Sequence, residues 1–144
     1  MLPLRAGSRF SDRWHDYALD NRSFTRHVEV SGDVAVLIPA LPGPQKIGVD
    51  AGPWMAGIVD GYMMVERFRF DPAAAYPDGG LSATVFTCPV YTELELMSPF
   101  AALQIGQALE FPITWELHRL PAACRNAAER CAAAMGILNA AGKR

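Results

Sequence analysis

Cysteine is scarce in this chain and unpaired in pattern: Cys88, Cys124 and Cys131 are odd in number and form no C-x-x-C. That leaves a zinc site or a disulfide without local support, and the heptad spacing of Cys124 and Cys131 is that of a packed helix face. Histidine is equally sparse. His15, His27 and His118 make no H-x-H or H-x-x-x-H pair, so no metal and no cofactor is expected. Lys and Arg never cluster into the patch that phosphate neutralisation needs, and the formal net charge is −2, so nucleic acid is not an expected partner. No apolar run reaches the roughly eighteen residues of a membrane-spanning helix. The opening Met1-Leu2-Pro3-Leu4-Arg5 has neither the charge order nor the cleavage site of a signal peptide, so a cytoplasmic protein without a membrane partner is expected. Gly48, Gly52, Gly57 and Gly79-Gly80 stand outside any G-x-x-x-x-G-K context, which excludes a phosphate loop.

What remains is an ordinary globular composition. The 144 residues are 51% hydrophobic and 19% charged, the size and balance of one domain with a real core. Residues 1–23 carry Arg, Asp and aromatics without clear period and read as an irregular segment with no strand. A β-sandwich domain is expected over 24–119 and an amphipathic helix over 120–144.

From Phe24 the pattern becomes short β-type runs separated by turn residues: His27 to Val30, Asp33 to Ile38, Lys46 to Val49, Trp54 to Val59, Tyr62 to Phe70 and Ser82 to Thr87. The Pro39-Ala-Leu-Pro-Gly-Pro44 stretch lies outside any sheet, since proline lacks a ladder donor. Asp60-Gly61 is a tight hairpin signal. In Tyr91-Thr92-Glu93-Leu94-Glu95-Leu96-Met97, period two sets Thr92, Leu94 and Leu96 against Tyr91, Glu93, Glu95 and Met97. The last strand alternates with better contrast. Leu109, Phe111, Ile113, Trp115 and Leu117 form its core face, opposite Glu110, Thr114, Glu116 and His118, and Pro112 marks an edge position or bulge. After Pro121, placed at a first helical turn, Cys124, Ala127, Ala128, Cys131, Met135 and Leu138 recur at helical spacing, for packing on the sheet or on a partner. The fold class is therefore mainly β, an antiparallel sandwich with a C-terminal helix.

Two carboxylates two apart on a strand point the same way, about 6.5–7 Å apart at Cα, and such neighbours drive each other's proton affinities apart. Glu93 and Glu95 are thus the candidate acid–base pair, with His118 the histidine a neighbouring strand would bring to them; the alternative is a solvated charged face. Arg67, Arg69 and Lys46 are candidate donors to ligand hydroxyl or carboxylate groups, and Trp54, Tyr62, Tyr76 and Tyr91 candidate platforms for the apolar face of a sugar ring, Tyr91 foremost, with core filling the alternative for the others.

Lys46-Ile47-Gly48, Tyr76-Pro77-Asp78-Gly79-Gly80, Val85-Phe86-Thr87, Tyr91 through Pro99 and Thr114-Trp115-Glu116-Leu117 stand in an order that resembles a family of uncharacterised bacterial domains with a galactose-mutarotase-like fold. The resemblance spans roughly residues 24–119. It implies a β-supersandwich related to aldose epimerases, with Glu95 in the place of the glutamate that takes the anomeric hydroxyl proton. Departures are Ser98 where glycine is usual, Cys88 where asparagine is common, and no counterpart to the paired histidines of mutarotases. The full supersandwich takes about twice this length, so the chain resembles its C-terminal half. The expected function is a carbohydrate-binding or sugar-epimerase-like domain acting on a small carbohydrate, the alternative a catalytically inactive scaffold or oligomerisation module. A half-sandwich leaves an apolar sheet face in water, so a homo-oligomer is expected.

Overall fold

The computed structural model describes residues 1–19, 27–38, 43–124 and 126–141. Of the expected Pro/Gly loop at 39–44, residues 39–42 lie outside the described residues. Among the described residues ten strands run β1 (Leu2–Pro3), β2 (His15–Asp16), β3 (Val28–Ser31), β4 (Val34–Leu37), β5 (Gln45–Val49), β6 (Trp54–Val59), β7 (Tyr62–Phe68), β8 (Ala83–Thr87), β9 (Thr92–Leu96) and β10 (Ile113–Arg119), and one helix follows, α1 (Ala127–Ala141). All pairings are antiparallel, in sheets ordered β1-β4-β3, β10-β7-β6 and β2-β5-β8-β9.

Local chemistry accounts for the connections. Asp60 and Gly61 both take positive φ, 48° and 78°, the mirror-type turn whose twist suits a hairpin, and they join β6 to β7 with Val59 opposite Tyr62. Cys88 to Tyr91 close the next hairpin, the Cys88 amide donating to the Tyr91 carbonyl, which sets Thr87 opposite Thr92. Helix α1 starts later than Pro121 signals, because Asn126 Oδ1 caps the Glu129 amide at 2.9 Å and Glu129 adds an acidic group to the first turn. Pro121 to Cys124 form a separate turn before it.

The N-terminal segment is not strand-free as the sequence pattern has it. Leu2 and Pro3 pair with Ala35 and Val34, and His15 and Asp16 pair with Gly48 and Ile47. Two-residue strands carry no readable period, and what pins this segment is a tertiary contact. Asp50, at the end of β5 with only 3% of its side chain exposed, accepts from Arg5 Nη2 (2.9 Å), Ser8 Oγ (2.6 Å) and the Arg9 amide (2.9 Å). Burial alone pushes its carboxyl up, but these donors more than offset that and hold it below the usual aspartate value.

Two apolar clusters result. One sets Leu2, Leu4 and Trp14 against Ile47, Val49, Val85 and Met55, with Leu94 and Leu96 of β9 on its margin. In the other, Ala134 and Leu138 of α1 cover Met63, Val65 and Ala56, so the helix packs on the β7-β6 face of its own chain. Met1 and Val34 belong to this second cluster, and the strands on either side of them join the two.

β10 corrects a second expectation. It is an edge strand, as Pro112 signals, but its apolar side is not core: Ile113 is 40% exposed, Trp115 70% and Leu117 71%. Antiparallel register sets Glu116 beside Val65 and His118 beside Met63, so the polar alternate flanks the helix-covered face while the apolar alternate overhangs on the other.

Candidate functional site

Register across β2-β5-β8-β9 builds two rows on the side of the sheet away from the Ile47–Val85–Leu94 core. One row is Lys46–Phe86–Glu93 and the other is His15–Gly48–Thr84–Glu95. Glu93 and Glu95 therefore share a face, as alternation requires, but they have different surroundings. Glu93 is exposed at the rim. Glu95 is half-buried, and Lys46 Nζ reaches diagonally to donate to both of its oxygens at 2.8 and 3.2 Å, while Thr84 Oγ1 donates to Oε2 at 2.7 Å.

Gly48 lets the neighbours of this network pack closely: a Cβ there would stand 2.8 Å from side-chain carbons of both Leu81 and Thr84. Burial pushes the Glu95 carboxyl up, yet the Lys46 and Thr84 donors outweigh it and hold the group below the ordinary glutamate value, with Glu93 a smaller influence in the same sense. Glu95 is thus a fixed, ionised acceptor.

Aromatic rings surround the pair. The Lys46 ammonium lies 5.1 Å from the Tyr17 ring centroid, a cation–π distance, and the Tyr17 hydroxyl donates to Asp78 at 3.0 Å. Burial first, then that bond to Asp78, pushes the Tyr17 phenol above its usual value. His15 meets Tyr17 edge-on at 5.1 Å and Phe10 at 5.4 Å. On the far side Phe86 packs with the expected Tyr91 at 5.8 Å, and Tyr91 is half-exposed.

The remaining expected residues lie elsewhere. His118 is on β10, whose partner is β7, and it contacts Glu116 Oε2 at 3.0 Å rather than Glu93 or Glu95. Arg67 joins the same cluster, donating to Glu116 through Nε and Nη2, and this guanidinium first, then His118, holds the Glu116 carboxyl below its usual value. Arg69 stands exposed past the end of β7. The expected donors are therefore split between two sheets: Lys46 serves Glu95 and Arg67 serves Glu116. The expected triad of Glu93, Glu95 and His118 is not assembled, because strand order sends β9 and β10 to different sheets.

No family model matches the chain, and no curated protein or solved structure does either. The geometry stands on its own. Among the described residues no group of three or more His, Cys, Asp and Glu is arranged to hold a metal, and no helix is long and apolar enough to cross a membrane.

Sequence reading missed Thr84, Tyr17, Asp78 and His15. Thr84 had a signal: a hairpin closed over Cys88 to Tyr91 puts Thr87 opposite Thr92, and stepping back three pairs puts Thr84 opposite Glu95. Tyr17 and His15 had none, since they lie in the segment without period.

Proposed function

We propose that the outer face of the β2-β5-β8-β9 sheet is a binding face for a small carbohydrate. The observation that supports this most is the Lys46–Glu95–Thr84 network, open to solvent on one side and flanked by Tyr17, His15, Phe86 and Tyr91. A sugar presents hydroxyls that donate and accept, and a C–H face that packs on aromatic rings. An ionised carboxylate beside a fixed ammonium meets the first need without reorganisation, and the half-exposed rings meet the second.

Binding fits this chemistry better than epimerisation. A mutarotase-type step needs a base at the anomeric hydroxyl and a proton donor at the ring oxygen. Glu95 is held at low proton affinity by Lys46 and Thr84, which makes it a good acceptor and a poor base. His118, the histidine expected beside Glu93 and Glu95, is on the other sheet and leaves them without a histidine donor from that strand. The galactose-mutarotase-like resemblance accordingly enters as a relation of fold and ligand class, with catalysis lost or never present.

Saturation-transfer NMR of the full chain against a panel of aldoses and disaccharides tests the reading. At least one sugar is expected to receive transfer, and Glu95→Gln, which removes a charge-assisted acceptor, is expected to weaken its affinity roughly 10- to 100-fold. Trp115→Asp, on the other sheet, should leave it unchanged. Absence of transfer across the panel defeats the proposal. Polarimetry on fresh α-glucose and α-galactose is expected to show the buffer rate; an acceleration abolished by Glu95→Gln would replace binding with epimerisation.

A further inference from the structure

The strongest feature outside the binding face is an apolar arm beside an apolar sheet face that it does not cover. Every residue from Ala101 through Glu110 is exposed. The arm is anchored at one end by the Phe100 amide, which donates to the Ala75 carbonyl, and at the other by the Phe111 ring against Phe68. Between them it turns at Gln104 to Gln107, closed by the Gln107 amide on the Gln104 carbonyl, with Gly106 at φ 87°. Ile105 at the tip is completely exposed (107%), with Phe100, Leu103 and Leu109 along the limbs. A protein normally puts charge on such a loop. Here, in a chain with 19% charged residues, none occurs from Met97 through Leu109.

The face comprises Ile113, Trp115 and Leu117 of the open edge strand β10, continuing across Tyr62 to Val59. Its exposed residues are uncharged apart from Arg119 at its end, and Glu66, opposite Trp115 in register, is buried beneath it. Arm and face are exposed in the same protomer, so each lacks a cover that the other's chemistry would supply. An aliphatic side chain of this size exposes roughly 60–120 Å² of apolar surface and an aromatic one roughly 150–250 Å². Discounted for what is already buried, arm and face together offer on the order of 500–900 Å² per protomer. That is about what each partner contributes to a standard specific interface, ~800 Å².

We infer that two copies of this chain associate by reciprocal arm exchange, the 100–109 arm of each seated on the β10 face of the other about a twofold axis. Only a partner with a neutral apolar groove and a neutral apolar arm satisfies both surfaces at once, and this chain carries both; a twofold then covers all four with one contact used twice. Charge argues against a membrane surface as the occupant. Glu110 adjoins the arm, and the chain is net negative, which anionic lipid would repel.

Sedimentation velocity of the full chain from 1 to 100 µM is the test, with a species of twice the 15.7 kDa protomer mass expected. Ile105→Asp in the arm and Trp115→Asp in the face should each raise the dimer Kd by 100-fold or more, with far-UV circular dichroism unchanged because both side chains are already exposed in the protomer. The exchange geometry makes a sharper demand. Mixing the two variants restores one intact arm–face contact per heterodimer, so the mixture should recover dimer that neither variant forms alone. A wild-type chain monomeric at 100 µM, or a dimer indifferent to both substitutions, overturns the inference. So does a mixture that stays monomeric, since each surface would then pair with itself. A monomer that co-sediments with phosphatidylcholine vesicles and loses this on Ile105→Asp would overturn it in favour of a lipid surface.

Discussion

Replacing Lys46 by Met keeps the aliphatic stem that spans from β5 to β9 and removes only the charge, so its cost isolates the Lys46–Glu95 interaction. The side chains are 20% and 31% exposed, which puts the pair between two measured regimes. Exposed pairs contribute about 0.2–1 kcal/mol, whereas removing one partner of a fully buried pair costs about 3–5 kcal/mol. Two short donor contacts from one ammonium and a third from Thr84, itself fully buried, argue for a position above the exposed limit. We expect Lys46→Met to destabilise the protein by about 1–2 kcal/mol at pH 7, or roughly 3–7 °C in Tm for a chain of this size.

The pH dependence is the stricter part of the prediction. The Glu95 carboxyl is held below its ordinary value of 4.5 in the folded protein, so the stabilisation is fully present above that value and is lost as pH falls through the lower folded one. Without Lys46 the burial penalty is no longer offset, and the carboxyl rises. Urea unfolding of wild type, Lys46→Met, Glu95→Gln and the double variant should therefore yield a coupling energy of about 1–2 kcal/mol at pH 7 that shrinks as pH is lowered below 4.5 and through the folded value. A coupling below about 0.3 kcal/mol at pH 7, or one that does not shrink at all down to the acid limit of folding, would refute the reasoning, because packing rather than charge would then hold the pair.

Two further substitutions probe groups outside the proposed binding face. Glu66 is 6% exposed on β7, and burial pushes its carboxyl above the ordinary value, so ionisation costs stability as pH rises through 4.5 and beyond. Glu66→Gln is expected to stabilise the protein by on the order of 1 kcal/mol at pH 7, the gain vanishing below pH 4 in the same urea series. Asp50→Asn keeps the shape of the hub that gathers Arg5, Ser8 and Arg9 but removes its charge, and a loss of about 2–3 kcal/mol is expected above pH 4, read as a lowered urea midpoint. Because those donors hold Asp50 below its usual value of 3.8, that loss should fade as pH falls below it.

The fold class was legible because alternation and turn chemistry are local. Asp60-Gly61, the Trp54–Val59 strand and the Leu94/Leu96 core face each follow from neighbours within a few residues, and each is found as expected. The Lys46–Glu95 contact was half legible: both residues were candidates, but their pairing depends on β5, β8 and β9 lying side by side, a statement about strands separated by tens of residues. The N-terminal strands were illegible, since a two-residue pairing pinned by Asp50 carries no period for a sequence to display.

β10 misled for a different reason. Alternation says that a strand has two unlike faces, and it says nothing about which of them the rest of the same chain covers. An apolar alternate is core only if something packs on it. In this protomer α1 and Met1 cover the side of β7 that bears Met63 and Val65, which is the side Glu116 and His118 share, and the apolar alternate of Trp115 and Leu117 is left facing outward. Arg67 then neutralises Glu116 where it borders the helix-covered core, and His118 contacts the same carboxylate, so the polar side of this strand carries its own partners. The pattern in Leu109 to Leu117 therefore marks which side of the strand is apolar, and not whether the chain covers it.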